Sequence, residues 1–324
     1  MLRDSIIQYL GSDWTRLNEF ISGALVTDIP LLQEVNAGIL EHSGKMLRPM
    51  LSLLVARCLG GGVAGEDAIR YAAATELLHN ATLLHDDVAD ESPTRRGAPT
   101  LSALVGPKAA VLVGDFWLSK AMEVTLGSCT KEKVVGVFSK AMTNLAEGEM
   151  LQLQNANGEG TGEEDYFRII YCKTASLFET ACLSAAIASG ADDRQIESVK
   201  EYAVSLGIAF QIRDDILDYV GDGTLGKPVG IDIKEHKITL PLLCCLRESP
   251  REAEIRRMVA QSAEHPEYCT EIREFVLENG GADKAEQVLD EYVDKALTAL
   301  QALPEGMDRD YLSSLAKYNS KRSF

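Results

Sequence analysis

The chain has 324 residues, with 32 Lys plus Arg against 49 Asp plus Glu, a formal net charge of −17, and 46% hydrophobic residues. That length can bury a substantial core, and the composition is globular rather than disordered. The acidic balance, with no basic stripe, excludes the clustered Lys and Arg by which nucleic acid is bound. An anionic small molecule would need a local cluster of basic residues or bridging cations.

The opening MLRDSIIQYLGSDW contains no apolar core of signal-peptide length, and no later stretch is long and apolar enough to span a membrane. The seven cysteines are scattered and lack CxxC spacing, which argues against a disulfide framework or a zinc knuckle. A reducing cytoplasm is the expected compartment. The periodicity is helical over 66–87, 107–126, 133–153, 165–189 and 195–219, where apolar residues recur at steps of three and four. Glycine and proline collect at 58–65, 91–99, 157–162 and 221–230, which mark connections. Strand-like alternation is nearly absent. The expectation is one all-α domain over 1–324, a bundle of long helices around a deep central cavity.

One internal echo stands out. HDDVAD supplies Asp86, Asp87 and Asp90; RDDILD supplies Asp214, Asp215 and Asp218, 128 residues later. Each DDxxD ends a strongly helical run, and positions i and i+4 share a helix face, so Asp86 projects with Asp90 and Asp214 with Asp218. One acidic cluster at a helix end is ordinarily solvated surface. Two identical ones, each behind an apolar run (ATLLH and GIAFQI), want a cation. All-oxygen ligands, with no His or Cys at metal spacing, favour magnesium, which keeps waters and shares its shell with substrate phosphates.

Basic residues flank both motifs. Arg95 and Arg96 follow the first, Lys45 and Arg48 lie upstream at a helix start, and Lys227 and Lys237 flank Asp232 after the second. Any one could be a plain surface charge. Six of them beside two acidic clusters in so acidic a chain suggest a diphosphate cradle, since Arg pairs bidentately with phosphate oxygens.

In order along the chain, GKMLRP (44–49), LLHNATLLHDDVADESPTRRG (77–97), VLVGDF (111–116), AEGEMLQL (146–153), YCKTASLFE (171–179), AFQIRDDILDY (209–219) and GKPVGIDIKEHKITLPLL (226–243) resemble the trans-isoprenyl diphosphate synthase family. Within it the chain looks most like the long-chain bacterial members, the octaprenyl diphosphate synthases. The resemblance implies an isoprenoid-synthase fold and the head-to-tail condensation of isopentenyl diphosphate onto an allylic diphosphate. It implies three magnesium ions, two on Asp86 and Asp90 and one on Asp214, with Asp87, Asp215 and Asp218 orienting ligands, waters or cations. Arg95, Lys173, Lys227 and Lys237 would contact the allylic diphosphate; Lys45, Arg48, His79 and Arg96 would hold isopentenyl diphosphate. Thr174 and Gln211 would stabilise the allylic cation with oxygen dipoles. Relatives are usually homodimers, and a long polyprenyl product makes transient membrane contact at release plausible.

Product length is expected to depend on the turn below the first motif, where Ala81 and Thr82 are small and let the chain grow to octaprenyl length. Phe116, Trp117, Met122 and Met150 are candidates for a deeper floor, each equally at home as core packing. Shorter geranylgeranyl or farnesyl products, and a non-catalytic prenyl synthase subunit, are the alternatives. Such a subunit tends to lose one motif, and this chain keeps both. Lys234-Glu235-His236-Lys237 departs from the family pattern, which commonly has glycine before the lysine; His236 is expected to be exposed. A GxGxxG match at 221–226 and a GxxxxGK match ending at Lys227 follow a helix rather than a strand, and Pro228 stands where a P-loop needs Ser or Thr. A phosphohydrolase built on His79 and His85 would need imidazole on the metal. A terpene cyclase would carry a mixed Asn, Ser and Glu second motif.

Overall fold

Helix boundaries fall where glycine and proline interrupt the apolar periodicity. The computed structural model describes residues 2–41, 44–95, 97–156, 161–221, 230–247 and 249–321. The chain resolves into two compact units. One comprises Met1–Lys140, Thr180–Val199 and Ala302–Leu312; the other comprises Ala141–Glu179, Lys200–Gln301 and Ser313–Phe324.

The first unit opens with α1 (Leu2–Leu10), α2 (Ser12–Ala24), α3 (Pro30–Glu41), α4 (Leu47–Leu59) and α5 (Glu66–Ala89). A short hairpin, β1 (Thr94–Arg95) with β2 (Ala98–Pro99), leads to α6 (Leu101–Val105), α7 (Pro107–Leu126) and the start of α8 (Lys131–Ala156). Every residue of α5 from Tyr71 to Leu78 is buried, which makes its middle a central helix of the unit. It packs against α2, α4 and α7. At its start, Glu66 and Asp67 lie where the helix dipole favours acids. Asp67 also accepts the backbone N–H groups of Cys129 and Thr130 at 3.3 and 3.2 Å, which anchors the entry to α8. At its end, Glu91 takes a left-handed φ of 48° and Ser92 N–H bonds back to Asp87 O at 3.1 Å, so the helix stops directly after the first aspartate motif.

The second unit continues α8 and adds α9 (Glu163–Ile170), the first turn of α10 (Ser176–Ala188), α11 (Asp193–Val220) from Lys200 onward and α12 (Ile231–Lys234); the rest of α10 and the start of α11 belong to the first unit. It is completed by α13 (Leu240–Leu246), α14 (Glu252–Ala260), α15 (Pro266–Glu278) and α16 (Gly281–Ala299), with part of α17 (Met307–Lys321). Its core gathers Ile208, Ile212, Ile216 and Tyr219 of α11 with Leu242 of α13 and Leu289 of α16. Each such aliphatic side chain contributes about 1.5–3 kcal/mol on burial.

The long helices follow the sequence expectation closely, with one correction. The expected continuous helix over 165–189 is broken by a π-helical turn at Tyr171–Ala175, where Ser176 N–H bonds to Tyr171 O. Helical periodicity carries no sign of a single inserted residue, and such turns are often functional. Gly207 of α11 lies against this turn. A Cβ there would sit 2.5 Å from Ala175 Cα, so only glycine permits the approach.

Candidate functional site

The residues singled out from the sequence fall into two clusters, one in each unit. In the first, Asp86 lies in the last turn of α5 and Asp90 is its C-cap residue, joined by the backbone bond from Asp90 N–H to Asp86 O at 2.8 Å. Asp86 is half-buried and Asp90 exposed. Asp87 points elsewhere. It is buried, and its Oδ1 accepts Arg95 Nε at 2.6 Å. The hairpin register, Arg95 opposite Ala98, folds the loop back so that this pair can form. The terminal nitrogens of Arg95 are left to reach an anion.

His85 does not join the carboxylates. Its ring rests on α7, with Nε2 3.4 Å from Val111 O and 3.3 Å from Asp115 Oδ1. That geometry removes the basis for a His-ligated hydrolase. His79 is half-buried on α5, and its carbonyl accepts Thr82 Oγ1 at 2.8 Å. Ala81 is fully buried. Lys45 is exposed, while Arg48 lies in the first turn of α4 after Met46, which has a left-handed φ of 50°. Arg96 lies outside the described residues, as do Lys227 and both glycine-rich motif matches.

In the second cluster Asp214 is half-buried on α11. Asp215 is buried, its Oδ2 accepting Tyr166 OH at 2.6 Å and its Oδ1 accepting Gln211 Nε2 at 2.9 Å. Burial, reinforced by Asp232, raises the Asp215 carboxyl well above the usual carboxylate range, and the Tyr166 and Gln211 bonds oppose this. Gln211 Oε1 in turn accepts Thr174 Oγ1 at 2.7 Å. Lys173 pairs with Glu149 and donates to Gln152 Oε1 at 3.0 Å. Gly148 makes room for this, because a Cβ there would lie 2.7 Å from Cys172 Cβ and 2.9 Å from Lys173 Cγ.

Asp218 caps the start of α12. Its Oδ1 and Oδ2 accept the N–H groups of Ile231 and Asp232, both at 3.1 Å. Lys237 then pairs with Asp232 at 3.7 Å and Glu235 at 2.5 Å. The turn before Lys237 is left-handed at His236, φ 60°, which explains why glycine is usual there. The expectation that His236 is exposed is corrected: it is half-buried, with Nδ1 2.7 Å from Val259 O. That bond ties the strained turn down.

Of the floor candidates, Trp117 is buried with Nε1 donating to Asn36 Oδ1 at 2.8 Å, whereas Met150 is 66% exposed, which removes it as a floor within this chain. Glu149, Gln152 and Tyr166 were missed. The glycine between two glutamates in the middle of a helix, at 147–149, was the available signal for the first two.

Among the described residues no group of three or more His, Cys, Asp or Glu converges on a single point. The donor set still suits a hard cation. Magnesium is held by one or two carboxylates, with waters and substrate phosphates filling the rest of its shell. Asp86, Asp90 and Asp214 offer only oxygen at partly accessible positions.

A polyprenyl synthetase family model matches residues 29–276. The chain is 39% identical over 317 residues to octaprenyl diphosphate synthase of Escherichia coli strain K12, covering 97% of each. Among solved structures it resembles a decaprenyl diphosphate synthase from Rhodobacter capsulatus, with a TM-score of 0.91 and 34% identity over 98% of both chains. It also resembles a polyprenyl synthase from Caulobacter crescentus CB15 complexed with calcium and isoprenyl diphosphate. There the TM-score is 0.89 and the identity 34%, over 99% of this chain and 98% of that one.

Proposed function

This chain belongs to the polyprenyl synthetase family and is a prenyltransferase, and from that premise we propose that it is a magnesium-dependent all-trans octaprenyl diphosphate synthase. It adds isopentenyl diphosphate head-to-tail to an allylic diphosphate such as farnesyl diphosphate. The observation that carries this reading is a shared division of labour in the two motifs. Each spends its second aspartate on a neighbouring side chain, Asp87 on Arg95 and Asp215 on Gln211. The family resemblance assigns Asp86, Asp90 and Asp214 to metal.

Bound magnesium supplies neutralisation of the diphosphate leaving group. Arg95 and Lys173, with Lys227 and Lys237, add fixed positive charge where negative charge develops. Lys45, Arg48, His79 and Arg96 hold isopentenyl diphosphate. Thr174 and Gln211 present oxygen dipoles to the allylic cation, the double bond of isopentenyl diphosphate attacks it, and the departing diphosphate takes the proton. Water must be kept out, because it would trap the cation as an alcohol.

The octaprenyl assignment rests on the small size of Ala81 and on the octaprenyl relative. Among the described residues no helix is long and apolar enough to cross a membrane, which accords with a cytoplasmic enzyme releasing product to a membrane surface. Exposed Leu104 and Leu112, on α6 and α7, favour a homodimer that covers them.

Incubation with farnesyl diphosphate, labelled isopentenyl diphosphate and magnesium, followed by chromatography, is the test. Octaprenyl diphosphate is expected. Geranylgeranyl or shorter products would overturn the chain length, and phosphate release without elongation would overturn the synthase reading itself.

A further inference from the structure

Tyr166 has no part in the chemistry just described, yet it begins a hydrogen-bond relay that ends at Thr174. The tyrosine is 3% exposed, and its hydroxyl donates to Asp215 Oδ2 at 2.6 Å. The other carboxylate oxygen accepts Gln211 Nε2 at 2.9 Å, and Gln211 Oε1 accepts Thr174 Oγ1 at 2.7 Å. With Asp215 ionised its two oxygens can only accept, and each link then runs in one direction. A phenol donating to one carboxylate oxygen holds the carboxylate plane and turns the other oxygen to Gln211 as an acceptor. The Gln211 amide must then face Asp215 with nitrogen and Thr174 with oxygen. Thr174 has one hydroxyl proton, and it is committed to Gln211. What Thr174 Oγ1 can offer any other group is lone-pair density alone.

We propose that Tyr166 is a positioning residue that sets the polarity of the Thr174 hydroxyl, through Asp215 and Gln211, so that it presents its negative end to the developing allylic cation. The proposal rests on the reading that Thr174 and Gln211 stabilise that cation. Were Gln211 reversed, its amide nitrogen would donate to Thr174, the threonine proton would swing outward, and the same hydroxyl would oppose positive charge. Preorganised dipoles help only if their sign is already correct when charge develops.

The surroundings are built to hold the relay still. Tyr166 packs edge-on against Phe167, with ring centroids 5.3 Å apart. Thr174 lies within the π-turn, held close to α11 by the Gly207–Ala175 approach one helical turn before Gln211.

The test is Tyr166→Phe, which keeps the ring and removes only the donor. Expected are a kcat about tenfold lower, KM for both diphosphates within about twofold of wild type, and a larger share of farnesyl diphosphate released as farnesol. Asp215→Asn supplies an amide whose N–H can face Gln211 Oε1 and reverse it, and is expected to lower kcat further. Thr174→Val removes the hydroxyl that the relay serves. If Tyr166 acts through Thr174, the double variant Tyr166→Phe with Thr174→Val loses no more kcat than Thr174→Val alone, whereas purely structural damage multiplies. Multiplying losses, or an unchanged kcat in Tyr166→Phe beside a lowered one in Thr174→Val, would overturn the proposal and leave the cation reading standing. An unchanged kcat in Thr174→Val and Gln211→Leu would instead overturn the cation reading. Should Tyr166→Phe fail to fold, the same cycle run with Asp215→Asn distinguishes these outcomes.

Discussion

A Cβ on Gly114 would lie 2.3 Å from Nε2 of His85, so the helix carrying the first aspartate motif and the helix facing it meet through an imidazole laid on bare backbone. His85 directly precedes Asp86, so the contact lies in the last turn of α5. Gly→Ala in a helix interior ordinarily helps by up to about 1 kcal/mol. Here a Cβ must push the His85 ring aside, and because the half-exposed ring can swing off α7, Gly114→Ala is expected to forfeit that benefit and cost up to about 1 kcal/mol. Thermal unfolding should show the loss, and removing the ring as well, in Gly114→Ala with His85→Ala, should recover part of it. A single variant more stable than wild type would deny the contact its role.

Arg95 is held by its Nε, and a lysine has no such second attachment. Arg95→Lys keeps the charge but lets it wander. The expected result is a KM for the allylic diphosphate raised about tenfold, roughly 1.4 kcal/mol, with folding stability little changed. Asp87→Asn should move the same constant in the same direction. Steady-state kinetics with varied farnesyl diphosphate decides it.

Asp218 accepts two backbone N–H groups at the start of α12. Asp218→Ala should therefore cost about 1 kcal/mol, as loss of a helix cap does. It should also loosen the segment leading to Lys237, which faster amide exchange over 230–237 would reveal.

Asp232, in that same segment, carries a pH signature. Burial, only partly offset by Lys237, pushes its carboxyl up to about 6 from an ordinary 3.8. Between those values the folded chain keeps a proton that the unfolded chain has released. This contribution to stability is present in full below about pH 4 and is lost as pH rises to about 6. Asp232→Asn, which never titrates, should flatten this component of the melting temperature of the metal-free protein over about pH 4–6.

Ala81 is 1% exposed, one turn before the first motif and just past the fully buried Tyr71–Leu78 stretch of α5. Ala81→Tyr is expected to shorten the product by several isoprene units while the first condensation persists. Chromatography of the diphosphates after phosphatase treatment reads it directly, and an unchanged length would rule out gating at that position.

Much of this protein can be read from the chain before any folding. Periodicity and punctuation placed the long helices to within a few residues. The i, i+4 spacing put Asp86 and Asp90 on one face. Other features resisted, each for a definite reason. A π-turn shifts register by one residue without altering composition, so the break at Tyr171–Ala175 was invisible. The second aspartates, Asp87 and Asp215, look identical to the first in sequence, and their different tasks depend on Arg95 and Gln211 arriving from particular directions. His236 looked like surface because nothing local shows that Val259 would offer its carbonyl.

The sequence alone determined the all-α class, the pair of acidic helix ends and the stock of cations around them, because these follow from local spacing and residue chemistry. The tertiary structure decided which oxygen faces which donor: Asp87 toward Arg95, Asp215 toward Tyr166 and Gln211, Asp218 toward the backbone of α12. Hydrogen bonds are directional and short-ranged, and partners far apart in the chain acquire a direction only once packing has fixed the backbones that carry them.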